Sequence, residues 1–504
     1  MTEKNRSRFA RLAGWLDDRL GLTYPLLRPV PRYAINPFYW LGALTVVAFL
    51  IQGITGMIMM LYYVPNLDDA FRTTQYIFQQ VYYGRFLETV HLYTAYAMIM
   101  LAFMHLMRGY FVSVHKKPRE IMWLVGMVMG FTTLGFGFTG YLLPWTVVSK
   151  SATDVGIGMI DALPAQVSSF ISFLIVGAGG DATELLRFYD LHVVVLPAVL
   201  LILLTVKMYM LEKHGVSEPA AGKPLRDRAV KDLPIFPDVT FYLLGLAAIF
   251  GSGMLLISAV FPLNLPPAYT PQLASQYTPQ PDWYFLWIYQ ILKISVFEGA
   301  ISVGKLSVGG LPIALGLVTL IFLILFLLPF IDRGETRRIR DRPIFVTSGM
   351  IFVAELLVLA YWGLVTPGQI IPAEQVALVL GGVALLVAAA SLGLYRSLGS
   401  QTRGDSGGKK SMSLTFATFH TGLAFTLLVA FGSLSIGISL NSTVGLIMNG
   451  TSLPNLIDLA GSVALISTAL LFTLFFMYRV ELGAGSLERR IRWFEVGLKD
   501  NDAS

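Results

Sequence analysis

The sequence predicts an all-α polytopic membrane protein with about ten transmembrane helices. Hydrophobic residues make up 55% of the 504 positions, and charged residues only 13%, about half the usual share in a soluble protein. Long uncharged runs, such as 315–330, consist mostly of Leu, Ile, Val and Phe. A soluble fold of this length does not bury that much apolar surface, so the composition indicates a chain that crosses the membrane several times.

Ten apolar segments are each long enough to span about 30 Å of hydrocarbon at about 1.5 Å per residue. They are 38–63, 88–112, 121–142, 190–211, 239–260, 308–331, 344–366, 374–395, 413–438 and 457–478. Two intervening loops, 143–189 and 261–307, are unusually long, which predicts a functional role for them. A stretch rich in Gly, Ser and Lys at 398–412 predicts a flexible linker between the first eight helices and the final pair.

Positive charge is distributed unevenly between the loops. If the N-terminus is cytoplasmic, the inner segments hold 29 Lys and Arg residues and the outer segments hold six. The positive-inside rule then predicts a cell-membrane protein with both termini in the cytoplasm. Residues 1–37 contain an amphipathic stretch that is expected to lie on the membrane surface. The net charge of +6 therefore indicates topology, and no nucleic-acid partner is predicted.

Histidines on two predicted helices occupy matching depths. His91 and His105 are fourteen residues apart, which places them on one helix face about 21 Å apart along the axis. His192 and Lys207 have nearly the same separation on the fourth helix, so His91 pairs with His192 and His105 with Lys207. Facing histidines inside a membrane are typical of haem ligation, in which each iron takes one axial ligand from each helix. The alternative is that they are ordinary core histidines.

Glycines in the first and third helices repeat the histidine spacing. Gly42 and Gly56 are fourteen residues apart, and so are Gly126 and Gly140. A flat macrocycle between helices requires close backbone approach, which glycine permits. Small-residue packing between membrane helices is the alternative.

Several segments resemble the cytochrome b family of quinol-oxidising complexes. They are Ile54-Thr55-Gly56, His115-Lys116-Lys117-Pro118-Arg119-Glu120, Gly140-Tyr141-Leu142-Leu143-Pro144-Trp145 and Arg187-Phe188-Tyr189-Asp190-Leu191-His192. Residues 10–215 are most similar to cytochrome b6, and residues 235–397 resemble subunit IV of the same complex, fused here in one chain. The motif Pro281-Asp282-Trp283-Tyr284-Phe285 resembles the family's Pro-Glu-Trp-Tyr, with Asp in place of Glu.

The resemblance implies a haem-binding four-helix bundle over residues 38–215, formed by the first four helices, with two haems. It also implies an outer quinol pocket built from Pro281–Tyr284 and the segment after Trp145. In that pocket Asp282 would accept a proton, because a partly desolvated carboxylate gains proton affinity. An interfacial aromatic belt is the alternative interpretation of the motif. Residues 413–504, an extra helix pair and a cytoplasmic tail, lie outside the resemblance.

Some charged residues match the family and others depart from it. Arg108 matches an arginine that contacts a haem propionate, or else it is a cation at a helix end, and Arg187 also matches. Glu88 stands where the family usually has an arginine. Lys207 replaces the usual fourth histidine ligand. It would ligate iron as a neutral amine, extend to the inner surface or pair with a propionate; we favour ligation because the position is that of the family's ligand.

The predicted function is that of a di-haem cytochrome b subunit of a respiratory quinol-oxidising complex. The absence of cysteine means that a Rieske iron–sulfur partner must be a separate chain. Fusion, Lys207 and the extra helices resemble archaeal oxidase supercomplexes, which implies terminal oxidase subunits as partners and haem of b type or archaeal a type. On the inner surface, His115, His214 and Asp238 are candidates for the border of a quinone pocket.

Two other functions stay open at this point. One is a haem-free ten-helix secondary transporter that uses buried charged residues to bind its substrate. The other is a simple haem b membrane anchor that passes electrons between a dehydrogenase and quinone. The second alternative leaves the Pro281–Tyr284 motif unexplained.

Overall fold

The computed structural model describes residues 29–403, except 32–33, 36, 178, 218–232, 304–305 and 338–340. Most of the amphipathic N-terminal segment, most of the predicted linker and the predicted helices 413–438 and 457–478 lie outside the described residues. The helices of the described part are α1 Leu41–Met60, α2 Ala70–Gln79, α3 Gly84–Phe111, α4 Glu120–Leu142, α5 Val147–Asp161, α6 Ala165–Ile175, α7 Asp181–His214, α8 Ile235–Val260, α9 Pro271–Ala274, α10 Leu286–Leu292, α11 Gly310–Phe326, α12 Leu328–Ile331, α13 Pro343–Val365 and α14 Ala373–Arg403. Two short antiparallel ladders join β1 Pro29–Val30 to β2 Leu233–Pro234, and β3 Ala300–Val303 to β4 Leu306–Gly309.

The first eight predicted transmembrane segments each contain an apolar helix, and seven of these helices are long. Within the described part, seven helices are long and apolar enough to cross a membrane: α1, α3, α4, α7, α8, α13 and the first two thirds of α14. Helix α11 is apolar but shorter. The predicted all-α membrane architecture is therefore confirmed for this part of the chain.

Three helix boundaries differ from the sequence prediction, and the first two have a clear physical reason. Helix α7 begins at Asp181 rather than near residue 190, because Leu185 and Phe188 are fully buried at 0% exposure in its first turns. The segment predicted as one helix over 308–331 breaks after Phe326. Pro329 has no N–H to continue the hydrogen-bond ladder, so a separate turn follows. Helix α14 continues to Arg403, into the segment predicted as a linker.

The first four long helices, α1, α3, α4 and α7, pack side by side. Helix α1 packs along α3, α3 packs on α4, and α4 packs along α7. The first four long helices thus form a four-helix bundle, as the family resemblance implies. In the second half, α13 packs between α10 and α14.

A shared core joins the two halves of the chain. Buried residues of α3 and α4, among them Phe111 and Met127, pack with Met350 of α13 and with α14. Trp123 Nε1 donates a hydrogen bond to the Leu325 carbonyl over 2.8 Å, and the Tyr110 hydroxyl donates to the Phe345 carbonyl over 2.8 Å. The region resembling cytochrome b6 and the region resembling subunit IV therefore pack against each other through this core.

Candidate functional site

The structure brings His91 of α3 and His192 of α7 face to face. Their ring centroids are 6.3 Å apart and the rings are inclined at 63°. Metal–imidazole bonds are about 2 Å long, so two rings on opposite sides of one metal ion have centroids about 6 Å apart. The spacing of the two imidazoles therefore fits two nitrogen ligands that would hold one metal ion between them.

Threonines fix which nitrogen of each outer histidine faces the gap. Thr55 Oγ1 lies 2.8 Å from His91 Nδ1, and Thr139 Oγ1 lies 3.2 Å from His192 Nδ1. Both hydroxyls already donate to carbonyls of their own helices, so they accept a proton from Nδ1–H of the histidine. Each ring then keeps Nε2 as the unprotonated nitrogen that a metal requires.

The two outer glycines lie against the outer histidines. A Cβ atom at Gly56 would lie 3.4 Å from His91 Cε1. At Gly140, a Cβ would lie 2.9 Å from His192 Nδ1, closer than real Cβ contacts allow. Glycine at these positions therefore leaves the space that the two rings occupy.

The two inner glycines face the inner pair in the same way. A Cβ at Gly42 would lie 3.3 Å from His105 Nε2, and one at Gly126 would lie 3.0 Å from Lys207 Nζ. The lysine side chain thus extends toward α4, inside the bundle, rather than along α7 to the inner surface. His105 Nδ1 is buried without a hydrogen-bond partner among the described residues, and Lys207 makes no hydrogen bond or ion pair with any of them. These unsatisfied groups fit a bound polar or metal centre between them.

The predicted propionate partners have different surroundings. The Arg108 guanidinium lies 4.0 Å from the Tyr39 ring centroid, and its Nη2 is buried without a hydrogen-bond partner among the described residues. Such an orphaned donor fits a carboxylate ligand. Arg187 instead donates to the carbonyls of Phe173 and Leu174 and so holds the end of α6.

The Asp282 segment forms a second site beside the outer pair. Asp282 Oδ1 accepts a hydrogen bond from the Trp283 N–H over 2.9 Å and so begins the turn Trp283–Phe285. Asp282 Oδ2 is buried and has no hydrogen bond of good geometry. The Tyr284 ring is buried, and its hydroxyl lies 2.7 Å from the place where a Cβ would stand at Gly137 of α4.

Two tyrosines that the sequence analysis did not identify complete this site. The Tyr96 ring of α3 lies 6.2 Å from the Trp283 ring and 6.4 Å from the Tyr284 ring. Tyr141, next to Gly140, lies close enough to Asp282 to interact with it electrostatically. Tyr141 lies in the segment Gly140–Trp145 that resembles the family, whereas nothing in the sequence separates Tyr96 from the many other tyrosines. Thr55 and Thr139 did leave a signal, since each immediately precedes one of the spaced glycines.

The electrostatics of Asp282 suit a proton acceptor. Burial raises the pKa of the Asp282 carboxyl to about 6, although the Tyr96 hydroxyl and the Trp283 N–H favour its charged form. Burial also raises the pKa of the Tyr284 hydroxyl, which therefore stays neutral. At neutral pH the site thus offers a carboxylate that binds a proton readily, beside a neutral phenol.

Loop contacts hold the site in place. The Val147 N–H donates to the Pro267 carbonyl over 2.9 Å, and the Tyr269 N–H donates to the Trp145 carbonyl over 3.1 Å. Gln280 Nε2 donates to two carbonyls at the end of α13. The segment after Trp145 and the loop that leads to Asp282 are therefore joined, as the predicted pocket requires.

Of the three candidates for an inner quinone pocket, His115 takes part in a buried charged cluster. His115 is fully buried and its Nε2 lies 2.8 Å from Asp332 Oδ2. Asp332 also pairs with Lys116, at 3.1 Å, and with Arg342. His115 is thus engaged between the two halves of the chain, where sequence separation hides its partner. We name His115, Lys116, Asp332 and Arg342 the inner charge cluster.

Comparison with known proteins gives the same assignment to both halves of the chain. A family model described as cytochrome b/b6/petB matches residues 28–215, and one described as cytochrome b (C-terminal)/b6/petD matches residues 272–388. The cytochrome b subunit of the cytochrome bc complex of Chlorobaculum thiosulfatiphilum is 32% identical over 359 residues, which cover 69% of this chain and 80% of the relative. This chain belongs to the cytochrome b family. The b6-like and subunit IV-like regions are fused in it.

Other relatives match either the whole or the first half. Cytochrome b of Rickettsia conorii is 30% identical over 72% of this chain and 87% of its own length. Cytochrome b6 of Oltmannsiellopsis viridis is 36% identical over 41% of this chain and 97% of its own length. A solved structure described as a hyperthermophilic respiratory Complex III has a chain that matches with a TM-score of 0.58 and 25% identity, over 77% of this chain and 97% of that one. This cytochrome b is accordingly a multi-pass membrane protein and an electron-transfer component of an oxidoreductase.

Proposed function

We propose that this cytochrome b is the di-haem subunit of a bc-type respiratory complex that oxidises quinol at an outer site. The observation that carries the proposal is the 6.3 Å spacing of the His91 and His192 rings beside the Asp282 site. His91 and His192 would hold the outer haem, and His105 and Lys207 the inner one. When bound, the two haems supply a path for single electrons across the membrane.

The chain's own residues handle the protons of quinol. Oxidation of a quinol to a quinone releases two electrons and two protons. Asp282 accepts one of these protons, because its carboxylate is desolvated and its Oδ2 lacks a hydrogen bond of good geometry. Tyr284 and Trp283 form the aromatic wall against which a flat quinol ring packs. Pro281 precedes the acid and limits the conformations of the loop.

The two electrons follow different routes. One leaves to a Rieske iron–sulfur protein, which must be another chain because this one contains no cysteine. The other crosses the membrane to an inner quinone. The positive-inside distribution supports cytoplasmic termini and proton release outside. Terminal oxidase subunits and an a-type haem remain predictions from the resemblance.

The two rival functions have less support. A transporter does not require facing imidazoles at the spacing of axial ligands, and the family match does not favour it. A simple haem anchor does not require the second half, yet the petD-type model covers residues 272–388, including the Asp282 site. Quinol oxidation accounts for both halves of the chain.

The test is the variant Asp282→Asn in the assembled complex. We expect haem reduction by a quinol analogue to slow by about 10²-fold or more, because a general base contributes that much. The haem absorbance itself should stay unchanged, since Asp282 holds no haem. In the native complex, the rate should rise with pH through a midpoint of about 6, as the carboxyl loses its proton.

Asp282→Glu is the matched control, because it keeps a carboxyl in the form that the family usually has. It should retain most of the rate. If Asp282→Asn oxidised quinol at the native rate with unchanged haem content, the proposed role of this site would be wrong.

A further inference from the structure

The two oxygens of the Asp282 carboxyl have different surroundings. Oδ1 accepts the Trp283 N–H, so it is tied to the backbone of its own loop. Oδ2 is buried and has no hydrogen bond of good geometry among the described residues. An aspartate is one methylene shorter than a glutamate, so this carboxyl stays near the loop backbone. Any hydrogen bond to Oδ2, the oxygen that is left to accept a proton, must therefore come from a donor on a neighbouring element.

Tyr96 is the residue that α3 presents to this carboxyl. Its ring packs edge-on against Trp283 and tilted against Tyr284, the two residues that follow Asp282. These contacts fix the ring on the Asp282 side of α3. Its hydroxyl is close enough to stabilise the carboxylate. The other titratable groups that face Asp282 are the hydroxyls of Tyr141 on α4 and of Tyr284 on the loop itself.

We propose that Tyr96 is a positioning residue for quinol oxidation: its hydroxyl donates to Asp282 once the carboxyl is ionised and holds Oδ2 toward the quinol. The inference rests on the proposed function and deepens it. All three facing groups are neutral phenols, and Asp282 makes no ion pair with any of the residues that the structure describes. With no cation beside it, this buried carboxyl is stabilised in its charged form mainly by hydrogen bonds, and only the charged form accepts a proton.

Tyr96 also connects two parts of the site. It lies five residues after His91 on α3, about 7.5 Å farther along the helix axis. The helix that supplies an outer histidine therefore also supplies the donor to the proton acceptor. The positions of His91 and of the hydroxyl that faces Asp282 are therefore set by one rigid element.

The experiment measures kcat and KM for a quinol analogue between pH 5 and pH 9 in the assembled complex, for the native chain and for Tyr96→Phe. Loss of the hydroxyl destabilises the carboxylate, so we expect the acid-side midpoint to move up by about one pH unit. The rate should fall most at low pH and recover at high pH. A merely structural role for Tyr96 would lower the rate equally at every pH without moving the midpoint, and that result would overturn the inference.

Two further variants make the outcomes distinguishable. Tyr93→Phe removes a hydroxyl from the same helix that donates to the Phe261 carbonyl, so its midpoint should match the native one. An infrared titration of the protonated-carboxyl band, assigned by its loss in Asp282→Asn, should show the same upward shift in Tyr96→Phe. If Asp282→Asn were fully active, the proposed function would fail. If it were inactive while Tyr96→Phe showed native midpoints, only the role of Tyr96 would fail.

Discussion

At the scale of single residues, each predicted glycine of the bundle lies against a predicted ligand on another helix. Each spaced glycine faces one side chain: Gly56 faces His91, and Gly140 faces His192. The same relation holds for the inner pair, in which Lys207 takes the place of a histidine. An amine in this position is expensive to keep charged, which supports the proposal that its neutral form binds iron.

Replacing Lys207 tests whether its amine ligates iron. We expect Lys207→His to change the low-temperature absorption and paramagnetic resonance of the inner haem, because an imidazole replaces an amine as axial ligand. Lys207→Met should weaken binding of that haem. Lys213→Met, on the exposed end of the same helix, is the control and should leave both spectra native. An unchanged inner-haem spectrum in Lys207→His would exclude ligation by the lysine.

A methyl group at Gly140 should disturb the outer pair. The Cβ of Gly140→Ala would meet the His192 ring, so the ring must shift, at a cost of about 1–3 kcal/mol. We expect a lower outer-haem content and an altered midpoint potential, measured by redox titration of the visible bands. Gly130→Ala on the same helix has nothing within 4 Å of its Cβ and should behave as native. Equal behaviour of the two variants would argue against the close approach of His192 to α4.

At the scale of elements, the inner charge cluster locks two loops together. It joins the turn after α3 to the turn after α12, and Lys116 Nζ also donates to the carbonyls of Gly334 and Thr336. Burial lowers the pKa of His115 to about 4 against the attraction of Asp332. At neutral pH His115 therefore carries no charge. The carboxylate of Asp332 then lies beside two cations, Lys116 and Arg342.

Removing the carboxylate should destabilise this junction. Asp332→Asn leaves two buried cations uncompensated, which typically costs about 3–5 kcal/mol. We expect a lower thermal unfolding midpoint for the purified protein in detergent. Glu335→Gln, an exposed neighbour in the same turn, should keep the native midpoint. A native midpoint in both variants would show that the cluster contributes little.

Acidification should weaken the same junction. The pKa of His115 is lowered to about 4 in the folded chain and is about 6.5 in an unfolded one. Between these values the unfolded chain binds more protons, so the stability that depends on His115 falls as the pH drops from about 6.5 toward 4. Thermal unfolding midpoints of the native chain and of His115→Gln, measured across this range, check the prediction. The variant should lose part of the acid dependence.

At the scale of the whole molecule, the sequence predicted what depends on periodicity within a helix. The apolar segments, the depths of His91 and His192, and the matching glycines all follow from spacing along one element. Contacts between distant segments were not predictable. Asp332 lies 217 residues from His115, and Tyr96 reaches the Asp282 loop across two halves of the chain, so neither pairing leaves a local pattern.

The most direct test of the central claim is the haem content of the purified chain, determined as the pyridine haemochrome per polypeptide. The account predicts two haems per native chain. It predicts one in His192→Leu, which should lose the outer haem, and one in His105→Leu, which should lose the inner haem. Native haem content in both variants, or a native chain without haem, would contradict the assignment of these residues as the ligands.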